Sequence, residues 1–508
     1  MQCKICIKKV SVCQLRRTTG VYCSRTIVFE QLVIQTGLIL CSVSDGFIFG
    51  QMSGMIDALQ GKDDTIIMTP EDISLMAAVV NLSCIGGFMI VGIMTEYFGR
   101  RLTISILTLP VAVCWIMIYY ACNKFIILLS RIILGVSYGG ILVLCHVCVG
   151  EYSPSNLRQI CFNLMAGVGS LLGSFSGHML SIFFNWRTVA LLGLIPTMLS
   201  CILPFFWVES PSWLASKGRF DESRKSFKKL HYMDKENEKE LENLIALEKT
   251  KVVALKSNSA NTPAKTIWRA CQQLYLWKII FLCLMTNVYR VAAGRILFNT
   301  MALTIFQDFT GESKLWLVTL LIDGFGILGA LLSCVFVSLF RMRSLLFVLG
   351  TIGNIVLIIL SFVLYYRPDV DGETAWIKAC LLALYLIIVN SGPYPVLETI
   401  LAEVYPLEAK AFCIFIVGSV TGAMQFLAIN LAQKMFACIG YHGSFLINSF
   451  LTFVSLGYLW VYLPETKGKT LQEIELYFKK GFIDSVELDN SDKDCDFKIM
   501  LRDTLKEV

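Results

Sequence analysis

The sequence predicts an all-α membrane protein with twelve transmembrane helices in two six-helix halves, joined by a cytoplasmic helical linker. Three observations carry that expectation. The 508 residues are 56% hydrophobic and 16% charged, with a mean hydropathy of +0.65, whereas soluble chains carry about 25% charged residues. Apolar windows of about twenty or more residues, enough to cross a bilayer, recur along the chain. They begin near Leu32, Ile73, Leu102, Phe125, Ile160 and Val189 and, after a polar gap, near Trp277, Leu315, Ser344, Trp376, Ala411 and Ser444. Finally, basic residues collect in alternate loops. Lys217, Arg219, Arg224, Lys225, Lys228 and Lys229 fill the central gap, with Arg100, Arg101, Arg158, Arg341, Arg343 and Lys410 on the same side. Lys62, Arg187, Lys314 and Arg367 are scattered over the other side. Positive loops stay inside, so both termini are expected in the cytosol.

The expected divisions are 1–30, a basic cytoplasmic tail; 31–208, the first six-helix half; 209–275, the linker; 276–463, the second half; and 464–508, a cytoplasmic tail. The first tail holds Lys4, Lys8, Lys9, Arg16, Arg17 and Arg25 against Glu30, with no clean apolar core before a cleavage site, unlike a signal peptide. The stretch from Asp221 to Lys256 mixes both signs and reads as short soluble helices on the cytoplasmic face. After Tyr477 the chain is acidic and polar, as disordered tails are.

The 19 cysteines scatter without metal-ligand spacing. Cys3-Lys-Ile-Cys6, near Cys13 and Cys23, is a lone pair with no second half of a zinc site, so free cytosolic thiols are expected. Four histidines (His146, His178, His231, His442) show no paired spacing, and there is no phosphate loop. The expectation is no catalytic residue, metal or cofactor. The partners implied are a small solute and the lipid bilayer, not nucleic acid and not an obligate protein partner. His146 reads as a packed histidine before a cavity-lining one.

One turn is more informative than the rest: Gly92-Ile-Met-Thr-Glu96-Tyr-Phe-Gly99-Arg100-Arg101 closes one span and opens the next. Gly92 permits close helix approach, Gly99 the φ > 0 of a tight turn, and Glu96 can pair with an arginine and a helix N-terminus. The plainer reading is a basic turn held in the cytosol. The segment resembles the loop signature of the major facilitator superfamily. Four further stretches resemble its sugar porters: Arg131-Ile-Ile-Leu-Gly135 with Gly139, Glu151-Tyr-Ser-Pro154 with Arg158, Val208-Glu209-Ser-Pro211-Ser-Trp213, and Pro464-Glu465-Thr-Lys-Gly468. Asn185-Trp186-Arg187 and Leu191-Leu-Gly193 are most similar to insect facilitated trehalose transporters.

That resemblance implies a major facilitator fold working by alternating access, with facilitated uniport of a sugar, hexose or trehalose, across the plasma membrane. It implies inner-gate charges at Glu96, Arg100, Arg101, Glu151, Arg158 and Glu209 in the first half, and Glu403, Lys410 and Glu465 in the second. The second-half set is expected to be thin, because the family's Asp-Arg-x-Gly-Arg-Arg turn reads here Ser338-Leu-Phe-Arg341-Met-Arg343. Gly392, Pro393 and Pro395 are expected to break the tenth span. The pocket departs from the family. Where it has two glutamines and an asparagine, this chain has Arg290, Val291 and Ile296; Glu398 stands at a tryptophan's place, and Thr421-Gly422 at an Asn-Trp pair, with Gln425 the retained amide. Met52 stands where proton-coupled relatives carry an aspartate, with Asp45 two turns deeper on nearly the same face.

The cavity candidates are therefore Asp45, Phe49, Ser53, Arg131, Arg290, Val291, Ile296, Asn390, Glu398, Thr421 and Gln425. Asp45, Arg290, Arg295, Asp323 and Glu398 lie at bilayer depth, where charges are costly and paired. Depth along straight helices predicts an Arg295–Asp323 pair and an Asp45–Arg290 pair across the cavity, with Arg131 as rival partner for Asp45. Two other functions fit the residues: transport of an organic anion held by Arg290 or Arg295, and a non-transporting sensor or scaffold with a degenerate sugar site.

Overall fold

The computed structural model describes residues 2–60, 66, 68–154, 157–257, 272–311, 314–367, 372–405, 410–465, 467 and 477–478. The side chains at 2–26, 236, 250–257, 402–403 and 410–411 lie outside that description, and with them the expectations for the tail cysteines, Glu403 and Lys410. The tail expected after Tyr477 also lies beyond the described residues, apart from Tyr477 and Phe478.

Among the described residues every regular element is a helix. The first five are α1 (Gln2–Gln60), α2 (Pro70–Tyr119), α3 (Lys124–Tyr152), α4 (Arg158–Phe183) and α5 (Trp186–Ile202). Three short helices follow: α6 (Pro211–Ser216), α7 (Phe220–Leu230) and α8 (Lys235–Ser257). The remainder are α9 (Leu274–Ala292), α10 (Arg295–Thr310), α11 (Leu315–Leu339), α12 (Met342–Tyr366), α13 (Glu373–Ser391), α14 (Pro393–Glu403) and α15 (Lys410–Tyr462). Among the described residues ten helical stretches are long and apolar enough to cross a membrane, so the chain is a multi-pass membrane protein.

Two of those stretches have 50 and 51 residues, about 75 Å of helix each at 1.5 Å per residue. Each is interrupted once by a glycine in a conformation other side chains avoid: Gly99 (φ 81°, ψ −170°) in α2 and Gly440 (φ 69°, ψ 174°) in α15. The chain reverses at both.

Three helix starts in the first part of the chain are capped by the residues that elementary chemistry favours. Thr69 and Asp72 form a reciprocal capping box at α2, with Pro70 in the first turn. Asn123 accepts from Ile126 N at 3.0 Å to start α3, and Asn185 accepts from Arg187 N at 3.1 Å to start α5. These caps share one face, closed by Lys124 on Asp72 at 2.9 Å and by Arg187 donating to Tyr119 O and Ala121 O at 3.1 and 2.6 Å. We call it the far face. On the opposite, linker face, α7 and α8 pack Phe227, Leu241 and Ile245 into a small core of their own. Gln31 Nε2 ties that core to the first span through Leu230 O at 3.0 Å.

Small residues set the closest approaches, as expected where lipid removes any hydrophobic gain from helix association. A Cβ on Gly177 would stand 2.7 Å from Gln51 N, and one on Gly135 would stand 2.5 Å from Val80 O. Thus α1 lies directly on α4, and α2 on α3. Three spans depart from regular helix within their length: α4 makes π-type turns over Asn163–Gly169, Gly294 (φ 75°) separates α9 from α10, and Gly392 separates α13 from α14.

A candidate solute cavity

A cavity of about 290 Å³ opens where these irregular segments meet, near the low end of the ~300–1,000 Å³ usual for small-molecule clefts. Asp45, Phe49, Arg290, Ile296, Glu398, Thr421 and Gln425 line it; Ser53, Arg131, Val291 and Asn390 do not. Ser53 Oγ accepts from Leu303 N at 2.9 Å, and Asn390 Nδ2 donates to Leu386 O at 2.9 Å. His146, expected first as a packed histidine, lines the wall: its Nδ1 meets Leu142 O at 2.5 Å and its ring lies edge-on to Phe162.

Both expected ion pairs are corrected by the structure. Arg290 Nη2 donates to Glu398 Oε1 at 3.2 Å and Nη1 to Asn287 Oδ1 at 3.2 Å. Arg295 does not meet Asp323. Its Nη2 donates to Ala166 O and Gly167 O at 3.1 and 3.2 Å, and its Nη1 lies 3.9 Å from Glu398. The guanidinium carbons sit 5.3 and 4.8 Å from the Tyr394 ring centroid, so one ring and one carboxylate serve two cations. The reason is local: Gly294 ends one helix and starts another, so depth counted along a straight span misplaces Arg295. The carbonyls it reaches belong to the π-type turns of α4, whose altered hydrogen bonding exposes them.

Asp45 makes no ion pair with Arg290 or Arg131 among the described residues. Its Oδ1 is buried without a hydrogen-bond partner, and the residue lines the cavity. Arg131 lies apart and fully buried, donating to Ile48 O at 3.2 Å and Met76 O at 3.4 Å. It pins α3 to two neighbouring spans. Asp323 is met by His178 at 2.7 Å.

Sequence reasoning missed Tyr138, Tyr394, Asn287 and Asn299 as wall residues. Asn287 had a signal, standing one helical turn before Arg290. Tyr394 sits inside the Gly392-Pro393-Tyr394-Pro395 break. Tyr138, edge-on to Phe49 at 5.3 Å, and Asn299 had none.

At the linker face the first-half charges form one network. Arg100 binds Glu151 at 2.7 Å, Glu151 accepts from Ser210 Oγ at 2.5 Å, and Glu209 accepts from Arg100 N at 2.9 Å. Arg101 donates to Trp207 O at 2.7 Å. Glu96 is paired with Lys217 of the linker rather than with an arginine, and Glu209 occupies the helix-start position expected for it. Arg158 is exposed and makes no ion pair among the described residues. Each of these contacts joins helices of residues 96–217, so none bridges the two parts of the chain on either side of the linker. In the second part, Glu465 accepts from Met342 N and Arg343 N, both at 3.2 Å.

Comparison with known proteins agrees with this architecture. Relatives include a facilitated trehalose transporter (Tret1-2 homolog) of Drosophila sechellia, 23% identical over 88% of this chain and 90% of that one. The probable metabolite transport protein CsbC of Bacillus subtilis is 26% identical over 86% and 93%. The match to Tret1 of Drosophila mojavensis spans 51% of that longer protein. Among solved structures, the major facilitator proton:xylose symporter XylE bound to 6-bromo-6-deoxy-D-glucose superposes with a TM-score of 0.72 at 17% identity, over 89% of this chain and all of that one. Its inward-open form from E. coli gives 0.65 at 17% identity, over 88% and 99%. The fold is therefore the major facilitator fold. The family model described as "Sugar (and other) transporter" matches residues 23–478, and the chain belongs to that family.

Proposed function

We propose that the chain moves a small polar solute, a sugar such as a hexose or trehalose, by alternating access and as a facilitated uniporter. One observation carries the mechanism: the cavity lies between the two parts of the chain, and polar contacts join those parts toward the far face. Ser53 meets Leu303 N at 2.9 Å, Ser74 meets Gln433 at 2.7 Å, and Lys434 lies 3.9 Å from Glu71. Toward the linker face the wall continues through Val147, Leu401, Tyr405 and Ile414. The reading is a carrier closed at the far face and accessible from the linker face.

Sugar chemistry is supported by the wall. Hydroxyl groups need paired donors and acceptors, and ring C–H faces need aromatic surface. Asn299 and Gln425 carry amides, and Tyr138 and Tyr394 offer rings. Asn299 thus supplies an amide one turn after Ile296, where the family's asparagine is missing, and Gln425 is the retained one. In this reading α2 and α15 each cross twice, giving twelve spans, and the linker and both termini lie in the cytosol of a plasma-membrane protein. No enzymatic role is proposed.

The test is radiolabelled uptake by protein reconstituted in liposomes without a pH gradient. Saturable uptake of trehalose or glucose, unchanged by a protonophore, is expected. Competition by carboxylates with no sugar uptake would favour the anion carrier instead. No uptake of either by correctly inserted protein would favour the sensor or scaffold.

A further inference from the structure

His178 and Asp323 stand apart from the cavity wall. His178 is in α4, before the linker; Asp323 is in α11 and Asn299 in α10, after it. The imidazole is held at both nitrogens: Nδ1 lies 2.7 Å from Asp323 Oδ2, and Nε2 lies 2.7 Å from the carbonyl oxygen of Asn299. The histidine side chain is 1% exposed and the aspartate 12%. The site is five residues from the far end of α4 and eight from the far end of α11, roughly 8 and 12 Å of helix.

Both acceptors are oxygens, and that fixes the proton count. A carbonyl only accepts, so Nε2 must carry hydrogen. Nδ1 then faces a carboxylate across 2.7 Å. If the carboxylate is ionised, Nδ1 must also carry hydrogen, giving an imidazolium. If Nδ1 is bare, the carboxyl group must carry the hydrogen and donate it. Either way the closed pair holds one proton more than a neutral imidazole beside a free carboxylate. Its net charge is zero, as a buried site requires.

We propose that His178 and Asp323 form a proton-binding site assembled from both parts of the chain, present when the far face is closed and split when it opens. The inference rests on the alternating-access reading. On closure the imidazole lone pair or the carboxylate takes one proton from the far compartment; on opening the proton returns there. No proton crosses, so uniport is preserved while far-side pH sets the balance of conformations. Among the other charged groups on the packed helices, Lys378 is buried on α13, which packs against α11, and the rest are engaged elsewhere or lie at helix ends. Arg295 is bound to Ala166 O, Gly167 O and Glu398, Asp308 accepts from Tyr441 Oη at 2.5 Å, Asp57 is exposed, and Asp45 lines the cavity. Asp323 is the charged group in direct contact with the ring.

The test needs no solute. Fluorophores on non-canonical residues at Phe184 and Lys314, exposed at the far ends of α4 and before α11, report far-face separation in the reconstituted full chain. As the pH falls from 8 to about 6.5 the closed fraction is expected to rise, by up to about tenfold in the closed-to-open ratio per pH unit for one proton, and to level off below, where the open-state imidazole is itself protonated. Asp323→Asn lets an amide N–H donate to a neutral Nδ1, so closure needs no added proton, and the pH dependence should vanish while closure persists. His178→Gln should also flatten it. A wild-type ratio that does not change with pH, or one that changes equally in both variants, overturns the proposal. Because the readout is conformational, failure of sugar uptake would leave this outcome readable.

Discussion

At the linker face the chain makes a similar reversal twice, once around Gly99 and once around Arg341, and the two are built differently. The first uses a left-handed glycine (φ 81°), an arginine–glutamate pair and a carboxylate at the new helix start. The second has no glycine: Arg341 is extended (φ −72°, ψ 139°) before α12. Yet two contacts are common to both. Glu209 and Glu465 each accept backbone N–H groups at the start of the following helix. Arg101 and Arg343 each donate to a tryptophan carbonyl, Trp207 O and Trp460 O, both at 2.7 Å. The shared part is a carboxylate against a helix N-terminus, where the unpaired N–H groups and the dipole favour negative charge. The glycine and the ion pair are additions of the first turn. Lys467 supplies the second turn's own addition, donating to Val337 O, Ser338 O and Phe340 O and so satisfying the end of α11.

The largest expected effect breaks the first turn alone. In Gly99→Ala the new Cβ would lie 2.6 Å from Glu209 Oε2 and the backbone would keep a φ that alanine avoids. The backbone strain is about 1–3 kcal/mol, before any displacement of the carboxylate. Apparent thermal stability in detergent should fall clearly. Adding Glu209→Ala removes the collision but not the strain, so the double variant separates the two causes. An alanine variant as stable as the parent would show that the turn does not depend on its glycine.

This contrast also shows what the sequence made legible. The Gly99 turn was readable because glycine, acid and arginines are side-chain facts. The second is expected to be thin, since its acid and glycine are missing. Among the described residues it has no ion pair, the side chains of Glu403 and Lys410 lie outside them, and Glu465 acts as a cap on Met342 N and Arg343 N. Its cap uses backbone N–H groups, which any residue supplies, so their partner could not be read from residue identity. The same limit explains the cavity. Counting 1.5 Å per residue gives depth but not direction around the helix. Arg290 lines the cavity as expected but meets another partner, because Glu398 approaches from α14 beyond the Gly392 break. Arg295 failed at Gly294 for a related reason. The apolar spans, which depend on composition over many residues, are insensitive to these local breaks.

A second, smaller test compares the two carboxylates. Glu465 uses both oxygens, Oε1 for Met342 N and Oε2 for Arg343 N, so Glu465→Gln must lose one bond as well as the charge. Glu209 receives Arg100 N and Ser210 N on Oε1, so Glu209→Gln can keep both. Expected losses are about 1–2 kcal/mol at Glu465 and about 0.3–1 kcal/mol at Glu209. Chemical denaturation of the purified variants would rank them. The opposite ranking would mean that the charge at Glu209, not its hydrogen bonds, holds the first turn.

The smallest expected effect concerns the two arginines. Lysine can still reach a carbonyl, so Arg101→Lys should change stability by no more than a few tenths of a kcal/mol, within the range of an ordinary surface substitution. Arg343 differs in its surroundings. Its guanidinium carbon lies 5.8 Å from the ring centroids of both Phe347 and Trp460, which are themselves edge-on at 4.8 Å. A planar guanidinium between two rings is replaced poorly by an ammonium, and exposed contacts of this kind contribute about 0.5–1 kcal/mol. Arg343→Lys should therefore be the more costly of two formally identical changes, and Arg343→Lys with Phe347→Leu should lose little beyond Phe347→Leu alone. Additive losses in that cycle would assign the arginine's contribution to its bond with Trp460 O rather than to the rings.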